Sequence, residues 1–202
     1  MSKRPLNASQ ALTLSLAMIT LLLASFQGWS EPWLEFNREA IDRGQWWRLI
    51  TGHWVHYGFY HLLMNSAALL LCGYVLLTEL KPSHYTGLLL TCLVTVGLGL
   101  YWGNPQLGYY AGLSGVLHGL LVAGLFLGLY QAPRLYGLAL LVVAIKVLRE
   151  QWPGFDTTHA LLPVPVAVDA HLYGALTGLA WGLLAILARR PLHPNGRPWR
   201  KP

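Results

Sequence analysis

Long apolar runs alternate with short polar breaks along this chain, and the runs are too long for strands. They fall at residues 11–26, 60–77, 85–102, 112–130, 135–148 and 169–188. A helix needs about 20 apolar residues to cross a bilayer, and most of the runs approach that length. The run at 135–148 is shorter and ends among Lys146, Arg149 and Glu150. The breaks carry turn chemistry: Lys81-Pro82, Asn104-Pro105, and a loop at 151–168 holding Pro153, Pro163 and Pro165. Asp169 reads as the N-cap of the last run. The pattern predicts an all-α membrane protein, a six-transmembrane-helix bundle forming a single domain over residues 1–202.

One stretch breaks the rhythm. Residues 28–52 are polar, with Glu31, Glu35, Glu39 and Asp42, and hold Trp29, Trp33, Trp46 and Trp47. Tryptophan concentrates where bilayer meets water, so this segment is expected to lie along the outer membrane surface. The first run has two readings, the apolar core of a signal peptide or a retained span; the second is preferred.

Composition agrees with this picture. The 202 residues are 54% hydrophobic and 11% charged, against about a quarter charged in soluble domains. The formal charge is +6, and its placement matters more than its size. Lys3 and Arg4 mark one end; Arg189, Arg190, Arg197, Arg200 and Lys201 crowd the other. The positive-inside rule places both termini in the cytoplasm, which makes the basic tail a topology anchor rather than a nucleic-acid site. Cys72 and Cys92 lie within apolar runs and read as packing residues, not a disulfide. No pattern specifies an oligomeric state.

With both ends inside, His56, His61 and Asn65 fall at the outer end of the second span. Ser114 falls at the outer end of the fourth, and His171 at that of the sixth. Polar groups within spans are functional candidates because burying them is costly. Ser114 sits in Gly112-Leu113-Ser114-Gly115. A serine in a membrane helix often bonds back to a carbonyl one turn earlier; here Gly112 and Gly115 leave open space around the hydroxyl. Gly115 and Gly119 admit a neighbouring helix, and Gly174 and Gly178 form a matching stripe on the face of His171. A serine–histidine hydrogen bond needs heavy atoms roughly 2.6–3.2 Å apart, which short side chains reach only when the backbones nearly touch. His171 is therefore the expected general base.

Asp169, two residues from His171, points elsewhere on a helix, so a dyad is expected. His61 and Asn65 share a helical face; they either donate to a developing oxyanion or join helices by hydrogen bonds. His118, four residues after Ser114, is a rival base or proton shuttle, though stacking on His171 is preferred. His53, His56, His61, His118 and His171 together raise a metal- or haem-binding alternative. It is disfavoured because the histidines have no carboxylate or thiolate companion within the spans, so neither metal nor cofactor is expected.

His56-xxxx-His61-xxx-Asn65, Gly112-Leu113-Ser114-Gly115 and Ala170-His171-xx-Gly174-xxx-Gly178 fall in order on the second, fourth and sixth spans. Together they resemble the rhomboid intramembrane serine proteases, and Trp47-Arg48 resembles that family's tryptophan–arginine pair. The resemblance covers nearly the whole chain. It implies a six-helix rhomboid-like bundle with a water-filled cavity open to the outer face. It further implies Ser114 as nucleophile, His171 as base, and His61, Asn65 and the Ser114 amide as oxyanion donors, with His56 in support. The loop at 151–168 would gate access. The partner implied is a membrane-anchored protein with a transmembrane segment, in the lipid bilayer of a bacterial cytoplasmic (inner) membrane. Short loops and the Ser-Gly-Val-Leu-His-Gly string point to the rhombosortase subgroup, associated with Gly-Gly-type C-terminal sorting segments. A non-catalytic rhomboid-like chaperone is the alternative; such proteins usually lose the serine or the histidine, and both are present here.

Overall fold

In the computed structural model, which describes residues 5–158 and 160–187, each apolar run becomes a helix. Helix α1 (Ala8–Ser25) opens on Asn7, whose side chain accepts from the Gln10 amide while the Gln10 side chain accepts from Asn7. That reciprocal pair satisfies two donors the first turn leaves free. Helix α2 (Gln27–Leu34), α3 (Arg38–Asp42), α4 (Arg48–Thr51) and a 3₁₀ turn at Gly52–Trp54 make up the tryptophan-rich segment. Helix α5 (Phe59–Leu71) runs on into a π turn, Cys72–Leu76, and α6 spans Pro82–Gly103. Then come α7 (Ser114–Gly128), α8 (Pro133–Glu150) and α9 (Val168–Leu187). The charged terminal residues, Lys3 and Arg4 at one end and Arg189 to Lys201 at the other, lie outside the described residues, as does Ala188.

The fold is a helical membrane bundle. Four of its helices, α1, α5 with its π turn, α6 and α9, are long and apolar enough to cross a bilayer. Helix α7 has 15 residues, about 22 Å of rise against a hydrocarbon core of about 30 Å. Its first residue can therefore sit recessed, reached by a loop that folds back into the protein. One capping expectation is corrected. Helix α9 begins at Val168, so Asp169 lies inside its first turn, where the carboxylate accepts from the Asn104 side chain.

Helix α7 is the centre of the bundle. Val116 and Leu120 are fully buried, and burial extends around the helix, as expected of an element apolar on all sides. Leu88, Leu89 and Leu93 of α6 pack on one flank, with Leu69 and Leu77 on another. Cys72 and Cys92 are buried free thiols in this core.

Helix α9 meets α7 backbone to backbone. A Cβ built on Gly174 would strike the Gly115 carbonyl, and one on Gly178 would lie 3.0 Å from the Gly119 Cα. A Cβ on Gly115 would lie 2.8 Å from the Ala170 oxygen. Lipid supplies no hydrophobic drive between helices, so close van der Waals contact between small residues does the work of association. Helix α8 is the opposite case. Leu135, Leu138, Val142, Ile145 and Leu148 are exposed, and Val147 alone of its residues is buried. In water such a stripe would be inside out; in a bilayer it faces lipid tails.

The tryptophan-rich segment clamps one end of the bundle. Arg48 is buried and donates to the carbonyls of Pro32 and Glu35 and to the Gln45 side chain. Arg38 donates to the carbonyls of Leu100, Asn104 and Leu107, closing the C-terminus of α6. Two short strands, β1 (Phe36–Asn37) and β2 (Tyr109–Tyr110), pair antiparallel with Phe36 opposite Tyr110. Trp29, Trp33, Trp46 and Trp47 remain exposed.

The glycine seam gives a test. Gly178→Ala should destabilise the protein by about 1–3 kcal/mol, the usual cost of overpacking, and lower its unfolding midpoint in detergent micelles. Leu184→Ala, on the lipid-facing side of the same helix, should leave the midpoint unchanged.

Candidate active site

Ser114 owes its position to the chain that enters α7. Strand β2 holds Tyr110 against Phe36, and the Gly112 amide donates to the Gly52 carbonyl at 3.0 Å. The Tyr110 hydroxyl donates to the Gly112 carbonyl. Gly112 turns the chain at φ +126°, a conformation that side chains disfavour. A Cβ there would also meet the His61 ring, 2.6 Å from Nε2. Ser114 then begins the helix, and its amide belongs to the first turn, whose N–H groups have no intrahelical acceptor.

The seam between α7 and α9 brings His171 to this serine. His171 is buried, the fourth residue of α9, and its Nε2 lies 3.1 Å from Ser114 Oγ. Its Nδ1 lies 3.0 Å from Glu150 Oε2, at the last residue of α8. One turn earlier, Lys146 Nζ reaches Glu150 Oε1 at 2.8 Å and His118 Nε2 at 2.8 Å. It also lies 3.2 Å from His171 Nδ1. His118 Nδ1 donates to the Ser114 carbonyl at 2.8 Å, and its ring stacks on His171 with centroids 4.1 Å apart and planes at 21°.

A cavity of about 650 Å³ opens in front of Ser114. His61 and Asn65 of α5 line it together with the serine, as do Val164, Pro165 and Val166 of the proline-rich loop. Asn65 spends one N–H on the His61 carbonyl at 3.0 Å. His56 stands behind this wall, edge-on to His61 with centroids 5.0 Å apart.

A serine at a glycine-lined helix start, a histidine on the facing helix and a polar wall from α5 are thus gathered at one end of a membrane bundle. The sequence model of the Rhomboid domain family matches residues 43–188. This chain belongs to the Rhomboid domain family. It is 27% identical over 147 residues to YdcA of Bacillus subtilis (strain 168), named provisionally as a rhomboid protease; the match covers 73% of this chain and 71% of the relative. It is likewise 27% identical over 180 residues to the rhomboid protease GlpG of Yersinia enterocolitica, covering 85% of this chain and 62% of that protein.

Two sequence expectations change at the site. The histidines do have a carboxylate companion, Glu150, and it reaches His171 from a helix that otherwise faces outward. The signal for it was the pair of charges at i, i+4 in Lys146 and Glu150, which sequence analysis treats as the end of a helix; charges within spans are functional candidates. The second change concerns the five histidines, which do not form one cluster. His53 bonds the Leu93 carbonyl at 3.1 Å and stands edge-on to Tyr110. Burial pushes the pKa of His53 down to about 4, and burial followed by the charge of His61 pushes that of His56 down to about 3. Both rings are neutral at neutral pH.

Glu150 also supplies the metal alternative with the ligand it lacked, since His118, Glu150 and His171 offer atoms within 4.8 Å of one another. The Lys146 ammonium lies against an atom of each. An ion there would have to displace a cation that the chain already provides.

Gly112→Ala combines a disfavoured φ with a clash against His61. It should cost about 1–3 kcal/mol, measured as a lower unfolding midpoint in micelles. Adding His61→Ala removes the clash, so the double variant should recover part of that loss.

Proposed function

We propose that this protein is an intramembrane serine protease that cuts a transmembrane segment of membrane-anchored substrates by a serine–histidine mechanism. The observation that carries the reading is the 3.1 Å approach of Ser114 Oγ to His171 Nε2 beside a cavity in a membrane bundle. The names of the two relatives support the same activity.

In this reading His171 takes the Ser114 proton as the oxygen attacks a substrate carbonyl. The tetrahedral oxyanion is stabilised by the Ser114 amide, His61 and Asn65, donors fixed before the charge develops. His171 then protonates the leaving amine, and a water deprotonated by the same imidazole releases the acyl group. His118 is a stacking partner, not the base: its Nδ1 is committed to the Ser114 carbonyl. The non-catalytic chaperone alternative loses support, because both the serine and the histidine are present and within bonding distance.

The substrate is a membrane segment with small, helix-destabilising residues near its end, because an intact helix buries its carbonyls in its own hydrogen bonds. A Gly-Gly-type C-terminal sorting segment fits that requirement. The cut lies near the outer face of a bacterial inner membrane, with six crossings, both termini in the cytoplasm and one domain over the whole chain. The loop at 151–168 controls access in this reading, which the place of Val164, Pro165 and Val166 in the cavity lining supports.

The test combines fluorophosphonate labelling with cleavage of a co-reconstituted, glycine-containing transmembrane substrate. Ser114→Ala should abolish both. His171→Ala should lower turnover by about 10³-fold or more, and His118→Ala by far less. Cleavage that survives Ser114→Ala would end the protease reading; loss in His118→Ala but not in His171→Ala would move the base.

A further inference from the structure

The geometry points to Glu150 as a positioning residue for the catalytic histidine, which turns the expected dyad into a carboxylate-backed triad with Lys146, itself engaged by His118, holding the carboxylate. The inference rests on the reading of Ser114 and His171 as nucleophile and base.

The hydrogen bonds around the cluster fix where each proton lies. The Ser114 carbonyl can only accept, so His118 bears its proton on Nδ1 and presents a lone pair at Nε2. Lys146 donates one N–H to that lone pair and another to Glu150 Oε1. Glu150 is left with Oε2 facing His171 Nδ1 at 3.0 Å. If His171 is to accept the serine proton at Nε2, its own proton must be on Nδ1, and the group facing Nδ1 must be an acceptor. An ionised carboxylate has no donor and meets that condition.

Lys146 is the competing neighbour. Its Nζ lies 3.2 Å from the same Nδ1. Were it to donate there, the imidazole proton would move to Nε2 and point at Ser114 Oγ, leaving no lone pair to act as base. Glu150 excludes that state in two ways. It occupies Nδ1, and together with His118 it engages the ammonium elsewhere. When the imidazolium forms during attack, the carboxylate is already beside it as countercharge, where burial strengthens the attraction.

An ordinary lysine–glutamate pair one turn apart on a helix surface contributes a few tenths of a kcal/mol and faces solvent. This one is different. The Glu150 side chain is 9% exposed, while the neighbouring Ile145 and Leu148 face outward. A carboxylate withdrawn from water in this way needs partners, and two of those it finds here are Lys146 and the proposed base.

The test uses the full chain reconstituted in vesicles with the transmembrane substrate, and follows kcat, KM and unfolding midpoint together. Glu150→Gln keeps the shape but can present an N–H to Nδ1 and so favour the unproductive tautomer. It should lower kcat by a large factor, toward the roughly 10⁴-fold loss that the acid-to-amide change of a triad carboxylate causes in a soluble enzyme, with KM and midpoint near the parent values. Glu150→Asp should recover part of that loss. Lys146→Met should lower kcat less than Glu150→Gln, and Lys146→Met with Glu150→Gln should be less impaired than Glu150→Gln alone, because the competing donor is gone. A merely structural Glu150 would instead lower the midpoint in Glu150→Gln and leave kcat of the folded fraction intact.

Parent-like kcat in Glu150→Gln, with Ser114→Ala and His171→Ala both inactive, would overturn the triad and leave the protease reading standing. Activity in Ser114→Ala would overturn the protease reading itself. If Glu150→Gln fails to accumulate as folded protein, the lysine carries the test: parent-like kcat in Lys146→Met would overturn the holding role.

Discussion

The contact between α7 and α9 through bare backbone is the constraint on which the rest of this structure depends. Gly115 and Gly119 on one helix meet Gly174 and Gly178 on the other, so closely that a methyl group on either side would collide with main-chain atoms. Everything at the site follows from that approach. A hydroxymethyl group and an imidazole have short reach, and only helices in near contact bring Ser114 Oγ to 3.1 Å from His171 Nε2. Hydrocarbon gives no reward for simply burying apolar surface against another helix. The association has to come from fit, and glycine supplies the fit.

A second constraint acts across the end of the bundle. The stretch that delivers Ser114 is irregular backbone, which is tolerated at membrane depth only where protein or a cavity covers it. Here the tryptophan-rich segment covers it: β1 pairs with β2, Arg38 closes the carbonyl end of α6, and the Gly52 carbonyl takes the Gly112 amide. Arg38 and Arg48 in this region are thus structural. Each replaces water as the donor to several carbonyls, which explains a buried guanidinium at Arg48 in so apolar a chain.

Much of this was legible in the residue pattern because membranes simplify the code. Apolar runs of nearly bilayer length can be little else, and the six expected segments each correspond to a helix. The glycine spacing in Gly115, Gly119, Gly174 and Gly178 pointed to the partner helices, since small residues at that interval make a close-packing face. What was less legible depended on tertiary neighbours. Glu150 looks like a helix end until α8 is seen to turn it toward α9. Two-residue strands such as β1 and β2 have no period to detect. Asp169 carries the composition of a cap, but the helix starts one residue earlier and Asn104 claims its carboxylate. The histidines looked like one group because they share an end of the bundle, and separated only when depth and partners were known.

Helix α8 leaves a last consequence. With one buried residue and an outward stripe of leucine, isoleucine and valine, it turns more of its surface outward than toward protein. Its tilt and depth therefore answer to the thickness of the surrounding bilayer, because the cost of mismatch falls on the helix least anchored by packing. Lys146 and Glu150 ride on that helix, whereas Ser114 and His171 are fixed by the glycine contact. The lipid composition of the host membrane thus bears on one half of the polar cluster and spares the other.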